Sequence, residues 1–154
     1  MIDAACGRWK LLKKIALLFC GLMVSTVMSA CPSHDNTALP SVIGMYFYDA
    51  GMQKVDLRGN QNVPVRTQFE VVFSTDMNTD TQHSLFKMTF VDSYGNSSAI
   101  TVSWVDAKTL SVIPDADLVF NTEYTLTIND AEDTRSNPLN PYANASATFR
   151  TSGS

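Results

Sequence analysis

No cysteine follows Cys31, the other two being Cys6 and Cys20. The chain beyond Cys31 can form no internal disulfide and offers no CxxC pair for zinc. Histidine is almost as scarce, with only His34 and His83. His34 lies in a polar, Pro-flanked stretch and His83 in a polar loop without a nucleophile-elbow pattern. The nucleophile, base and orienting acid of an acyl-transfer or hydrolytic site are therefore not assembled by any motif. Basic residues are few and misplaced for nucleic acid. Four of the 11 lysines and arginines (Arg8, Lys10, Lys13, Lys14) precede Cys31, whereas only Asp3 of the 15 acids does. Seven bases then face 14 acids, a net charge of −7 that repels phosphate backbones and excludes a nucleic-acid partner. After Cys31 no segment repeats its apolar residues with a period of 3.6, so no amphipathic helix is expected there.

What is present begins with a targeting pattern. Residues 1–30 join a basic stretch to an apolar run from Ile15 to Val24, short for a membrane span of about 20 residues and of signal-peptide length. The run ends in Val27-Met28-Ser29-Ala30-Cys31, with small residues immediately before a cysteine. This resembles the lipobox of bacterial lipoproteins, with Met28 where leucine is usual. The resemblance implies cleavage before Cys31, a diacylglyceryl group on its sulfur and acylation of its new amino group. The protein would then be held at the cell envelope by lipid on Cys31, since two or more acyl chains at about 0.8 kcal/mol per buried CH₂ anchor stably. Pro32, where an aspartate would favour inner-membrane retention, points to the outer membrane in a Gram-negative source. An ordinary signal cleaved after Ala30, giving a secreted or periplasmic protein, and an uncleaved signal anchor are the other readings. Residues 31–41 form the lipidated cysteine and a polar tether.

From residue 42 the pattern changes to period 2, the mark of half-buried strands. Val42 to Tyr48 is apolar on both alternating sets, which leaves its inward face unassigned. Residues 49–62 read as loop, and Val63-Pro64-Val65 as an edge piece. Phe69, Val71 and Phe73 alternate with Gln68, Glu70, Val72 and Ser74, Phe86, Met88 and Phe90 with Lys87, Thr89 and Val91, and Ile100, Val102 and Trp104 with Thr101 and Ser103. Asp106-Ala107-Lys108 reads as a tight hairpin into Leu110 and Val112. Tyr124, Leu126 and Ile128 mark another strand, and Ala145, Ala147 and Phe149 the last. Tyr124 follows Leu118 by six residues, a spacing suited to a tyrosine corner, in which the ring plugs the end of a sandwich and its hydroxyl bonds upstream backbone. About seven strands with such a corner argue for an all-β, immunoglobulin-like antiparallel β-sandwich over 42–151, preceded by the signal peptide.

A family resemblance rests on five short motifs in order. These are Val63-Pro64-Val65, Phe73 to Asn78, Thr109 to Pro114, Leu118 to Tyr124, and Asp133 to Leu139 closing in Phe149-Arg150-Thr151. They resemble the bacterial SbsA-type Ig-like domain, with its VPVD opening, FSEPMD-like strand end, LTFTP strand, L.PGTTYTVTV corner, DxxGNPL loop and final FTT. The departures are Asp76 for proline, Asn121 for the corner glycine, Ser136 for the loop glycine, and extra length around Met52 to Gly59. Asn121 can take the left-handed conformation that glycine supplies, and Ser136 does so less readily. The resemblance implies a module of exported, surface-layer, adhesin-like and polysaccharide-processing proteins. It implies no catalytic residues and no cofactor.

Two kinds of binding chemistry stay open. Asp130, Glu132 and Asp133 share one loop, and Asp115 and Asp117 another. Calcium takes six to eight oxygens, which the first loop could supply with carbonyls, although no EF-hand or GGxGxD spacing occurs. Of Tyr46, Phe47 and Tyr48, at least one ring must face outward from a strand, and Tyr94 and Tyr142 sit at turns where rings could stack on sugars. Trp104 shares a face with Ile100 and Val102 and belongs to the core. The expectation is a non-enzymatic, lipid-anchored envelope protein displaying one Ig-like domain for adhesion, scaffolding or binding an envelope protein or polysaccharide, through loops or unpaired strand edges. The alternative is a carbohydrate- or calcium-binding accessory module.

Overall fold

A computed structural model describes residues 38–80, 86–141 and 145–153. The signal segment, Cys31, His34, His83 and Tyr142 lie outside the described residues. The described chain is all β, with eight strands: β1 (Val42–Tyr48), β2 (Lys54–Asp56), β3 (Phe69–Phe73), β4 (Lys87–Asp92), β5 (Ile100–Asp106), β6 (Thr109–Pro114), β7 (Glu123–Asp130) and β8 (Ser146–Arg150). They form a five-stranded sheet in the order β2-β1-β3-β6-β5 and a three-stranded sheet in the order β4-β7-β8. Every pairing between strands is antiparallel. Apart from β2, this is the constant-type immunoglobulin arrangement of four strands facing three.

The alternation in the sequence places the core. Phe69, Val71 and Phe73 of β3, Leu110 and Val112 of β6, Tyr124, Leu126 and Ile128 of β7, and Ala147 and Phe149 of β8 are buried. β1, ambiguous by pattern, turns Met45 and Phe47 inward and leaves Tyr46 and Tyr48 half-buried on the outer face. A register shift between Val42 and Gly44 turns Val42 inward as well and leaves Ile43 exposed. Rings join the two sheets: Phe69 meets Phe90 at 5.8 Å and Phe149 at 5.2 Å between centroids, and Tyr124 stacks 5.9 Å from Phe149. Such offset and tilted pairs each add about 0.5–1.5 kcal/mol beyond their burial.

Of two expectations for residues 49–65, one is corrected and one narrowed. Residues 54–56 form β2 inside the stretch read as loop; three residues with one half-buried valine carry too little period-2 signal to show. Of Val63-Pro64-Val65 only Val63 edges a sheet, through a single parallel bridge to Thr151. The chain leading to it lies along β8: Gly59 N–H donates to the Thr148 carbonyl at 2.7 Å, and Arg150 N–H to the Asn60 carbonyl at 2.7 Å.

One loop geometry is used three times. In Asp49–Gln53, Asp92–Asn96 and Asp133–Asn137 the first residue's N–H donates to the fifth residue's carbonyl, and the fourth residue's N–H donates to the first residue's carbonyl. The first aspartate's carboxylate also accepts the backbone N–H of the third and fifth residues in each copy. This is a tight turn closed by a residue in the left-handed region. That residue is Gly95 (φ 84°) in one copy, Met52 (φ 59°) and Ser136 (φ 62°) in the others. Asn121, on the β6–β7 connection, is also left-handed at 53°. A side chain costs about 1–2 kcal/mol in this region, partly offset by the lower unfolded-state entropy of a non-glycine residue. Ser136→Gly is therefore expected to stabilise the domain by about 0.5–1 kcal/mol, and Gly95→Ala to destabilise it by a similar amount. Urea denaturation midpoints of the two variants, at unchanged slope, check both signs.

Candidate functional site

The antiparallel connections divide the loops between two ends. At one end lie β1–β2, β4–β5, β6–β7 and the last part of the β2–β3 crossover, tied by Leu118 N–H to the Val65 carbonyl and Ser93 N–H to the Glu123 carbonyl. At the other lie β3–β4, β5–β6, β7–β8 and the approach to β1, tied by Met77 N–H to the Ala107 carbonyl and Asn140 N–H to the Pro40 carbonyl. The first end exposes apolar side chains, with Tyr94 84%, Met52 76%, Val119 63% and Phe120 52% accessible.

Tyr124 and Leu118 are both buried below that end. The Tyr124 ring stacks on Phe149 and tilts 5.2 Å from Phe90, while its hydroxyl accepts the Val119 N–H at 3.0 Å. Thr151 closes the same connection, donating from its hydroxyl to the Val119 carbonyl at 2.6 Å and accepting the Thr122 N–H at 2.9 Å. Tyr124→Phe removes an acceptor and leaves a half-buried N–H unmet, an expected loss of about 1–2 kcal/mol in chemical denaturation with the fold retained.

The acidic loop is built for its own closure. Asp133, 1% exposed, accepts Arg135 N–H and Asn137 N–H on Oδ1, and the Asn137 amide (2.9 Å) and Arg135 guanidinium (3.4 Å) on Oδ2. Glu132 accepts the Asn78 amide at 3.0 Å, and Asp130 stands opposite Lys87 across β4–β7. Among the described residues no three histidine, cysteine or acidic side chains come together to hold a metal ion. The oxygens of Asp130, Glu132 and Asp133 therefore do not form the converging set that calcium needs. Burial of Asp133 opposes its ionisation, but the Asn137 amide, the loop N–H groups and Arg135 outweigh it and hold the carboxyl below the ordinary range. A carboxylate depressed on folding stabilises above its unfolded pKa, near 3.9, and that contribution is lost as pH falls through the lower folded value. Asp133→Asn should lower stability near neutrality by about 1–3 kcal/mol and flatten the decline between about pH 5 and 2, as read in unfolding curves across that range.

A second polar cluster lies on the outer face of the larger sheet and was not legible in the sequence. Glu70 points away from the core yet is only 8% exposed. Tyr48 donates its hydroxyl to Glu70 Oε1, and Lys54 Nζ pairs with Oε2. Desolvation pushes the Glu70 carboxyl up, but the bonds from Lys54 and Tyr48 prevail and its pKa is lowered. The Tyr46 ring lies over Gly44, where a Cβ would collide with it, and Lys54 sits 4.7 Å above the ring centroid. Tyr46 is thus engaged by its own strand and by Lys54. Trp104 packs inward against Phe73 and Phe86 at 5.5 and 6.3 Å. Asp115 accepts the Thr101 hydroxyl, and Asp117 accepts Arg66 Nε through both oxygens.

A two-sheet Ig-like sandwich with these loops has a family. Residues 57–151 match the bacterial Ig-like domain family, and the chain belongs to it. Its fold is similar to that in the crystal structure of the S-layer protein rSbsC(31-844), with a TM-score of 0.50 and 14% identity; the match covers 75% of this chain and 14% of that one. An L,D-transpeptidase from Mycobacterium tuberculosis H37Rv gives a TM-score of 0.42 at 16% identity over 62% of this chain and 37% of that one, which carries no argument. No curated protein sequence matches.

Proposed function

We propose that this is a non-enzymatic, lipid-anchored cell-envelope protein whose Ig-like domain binds a partner. The observation that carries the reading is the accessible apolar surface of the sandwich. Residues 38–41 run into the end that holds the β3–β4 and β7–β8 loops, where Asn140 N–H meets the Pro40 carbonyl and Ser41 N–H meets Ser74 Oγ at 3.0 Å. Apolar side chains are accessible at both ends, Tyr94, Met52, Val119 and Phe120 at the opposite one and Leu39, Ile43 and Val105 toward this one, exposure of the kind that serves interfaces. Membership of the bacterial Ig-like family and the cysteine-ended signal pattern support an exported location, with the outer membrane favoured in a Gram-negative cell by Pro32. The carbohydrate and calcium alternatives gain less, because Tyr46 is already engaged by Gly44 and Lys54 and Asp133 serves its own loop.

The anchor is tested by intact-mass spectrometry of the membrane fraction from cells making wild type or Cys31→Ser. The expected result is a wild-type mass beginning at Cys31 with added acyl chains, and a Cys31→Ser protein lacking both the added mass and the membrane attachment. An unacylated wild-type protein in the soluble fraction would overturn the anchor.

A further inference from the structure

Sheet edges recruit other strands unless something blunts them. Three of the four edges here are blunted. β2 is three residues long and carries Lys54 and Asp56. β8 is overlaid by residues 59–63, through Gly59, Asn60 and Val63, whose N–H donates to the Arg150 carbonyl at 3.1 Å. β4 begins with Lys87, and its far half is met by Ser97–Ser98, with Ser98 N–H on the Phe90 carbonyl at 2.8 Å. Among the described residues β5 is the least protected. It runs seven residues, Ile100–Asp106, with no proline, lysine or arginine, pairs only with β6, and has its bulge and its one charge at the far end, between Trp104 and Asp106.

The register shows which of its groups face outward. Pro114, which has no N–H, stands opposite Ile100, and Asp115 N–H donates to the Ala99 carbonyl at 3.0 Å. Antiparallel pairs alternate between bonded and non-bonded, so Thr101–Ile113 and Ser103–Ser111 are the bonded pairs. Ile100, Val102 and Trp104 therefore turn their N–H and C=O groups to the free side. Their side chains point inward but are only partly buried, so the core is thinly covered along this edge. The Trp104 indole N–H is buried there without an acceptor among the described residues. Carboxylates frame the strand: Asp106 ends it, and Asp115 sits at its start on the Thr101 hydroxyl. The nearest cation in sequence, Lys108, pairs with Asp76 at 3.7 Å. With a net charge of −7 beyond Cys31, a second copy of this chain is repelled and a basic segment is drawn in.

We propose that the free edge of β5 is a strand-addition site for an extended polypeptide segment that alternates apolar and basic residues. Its backbone pairs with Ile100, Val102 and Trp104, its apolar side chains cover the thin side of the core, and its cations meet Asp106 and Asp115. This goes beyond the function proposed above, at a part of the sandwich that reading does not use, so its failure would leave both that reading and membrane attachment through Cys31 untouched.

The test uses the protein extracted from membranes in a non-ionic detergent; Trp104 is its single indole once cleavage before Cys31 removes Trp9, and Trp9→Phe achieves the same where that segment stays attached. The probe is a capped peptide of about nine alternating lysine and valine residues, long enough to span a strand. The expected result is a saturable blue shift of Trp104 emission that weakens several-fold between about 50 and 300 mM salt. Alternating glutamate and valine, or the lysine peptide with a central proline, should give none. Val102→Pro removes an outward N–H and no ladder bond, and should cost at least about tenfold in affinity in a protein whose thermal unfolding stays cooperative. If that variant does not fold, Asp106→Asn with Asp115→Asn decides, and should weaken binding several-fold. The proposal is overturned by an unchanged emission at millimolar peptide, an equal response to the acidic peptide, or undiminished binding by a folded Val102→Pro protein. Self-association that Val102→Pro abolishes would assign the edge to a second copy and overturn the cationic partner.

Discussion

The contact between the two sheets through Phe69, Phe90, Phe149 and Tyr124 is the interaction on which this domain depends. With no cysteine beyond Cys31, no disulfide can staple the sandwich there, so cohesion comes from burying one face of each sheet. Phe69 lies on the central strand of the larger sheet and touches rings from two strands of the smaller one. Tyr124 extends that stack to the loop end, where its hydroxyl fixes the β6–β7 connection through Val119. Displacing β3 by one residue would turn Phe69, Val71 and Phe73 to solvent and bury Glu70 in the core, so the ring contacts also fix the register.

Charge is distributed in keeping with that frame. The carboxylates nearest burial, Glu70 and Asp133, are each satisfied locally, one by Tyr48 and Lys54 and the other by its own loop. They bind the scaffold together rather than a ligand. What is left unsatisfied among the described residues lies at the periphery: the exposed apolar side chains and the outward backbone groups of β5. The binding role proposed above draws on such peripheral features, because the fold itself is shared by proteins of many purposes.

Much of the architecture could be read from residues because each sheet has one buried face. The inward sets of β3, β5, β6, β7 and β8 stand out as alternating positions. β1 did not resolve, because both its sets are apolar; the outer set is used up in covering Gly44 and holding Glu70. β2 was too short to leave a pattern. The burial of Glu70 could not be foreseen, since it depends on Tyr48 and Lys54 arriving from neighbouring strands. The repeated turn has a sequence trace in Asp-Ser-Tyr-Gly-Asn and Asp-Thr-Arg-Ser-Asn, but its left-handed residue changes from glycine to serine to methionine, which hides the recurrence. Asn121 was legible because asparagine tolerates the left-handed region. Which strands form edges is a matter of sheet order, and alternation along one strand holds no information about it.

Among the described residues the edges of the sandwich are closed except at β5. Amide hydrogen exchange of the unliganded protein tests that most directly. Slow exchange is predicted for Ser103 and Ile113, which face into the β5–β6 ladder, and for Arg150, whose N–H is held by Asn60. Fast exchange is predicted for Val102 and Trp104, whose N–H groups face the free side. Protection of Val102 and Trp104 equal to that of Ser103 would contradict the account, because it would mean that this edge is already covered.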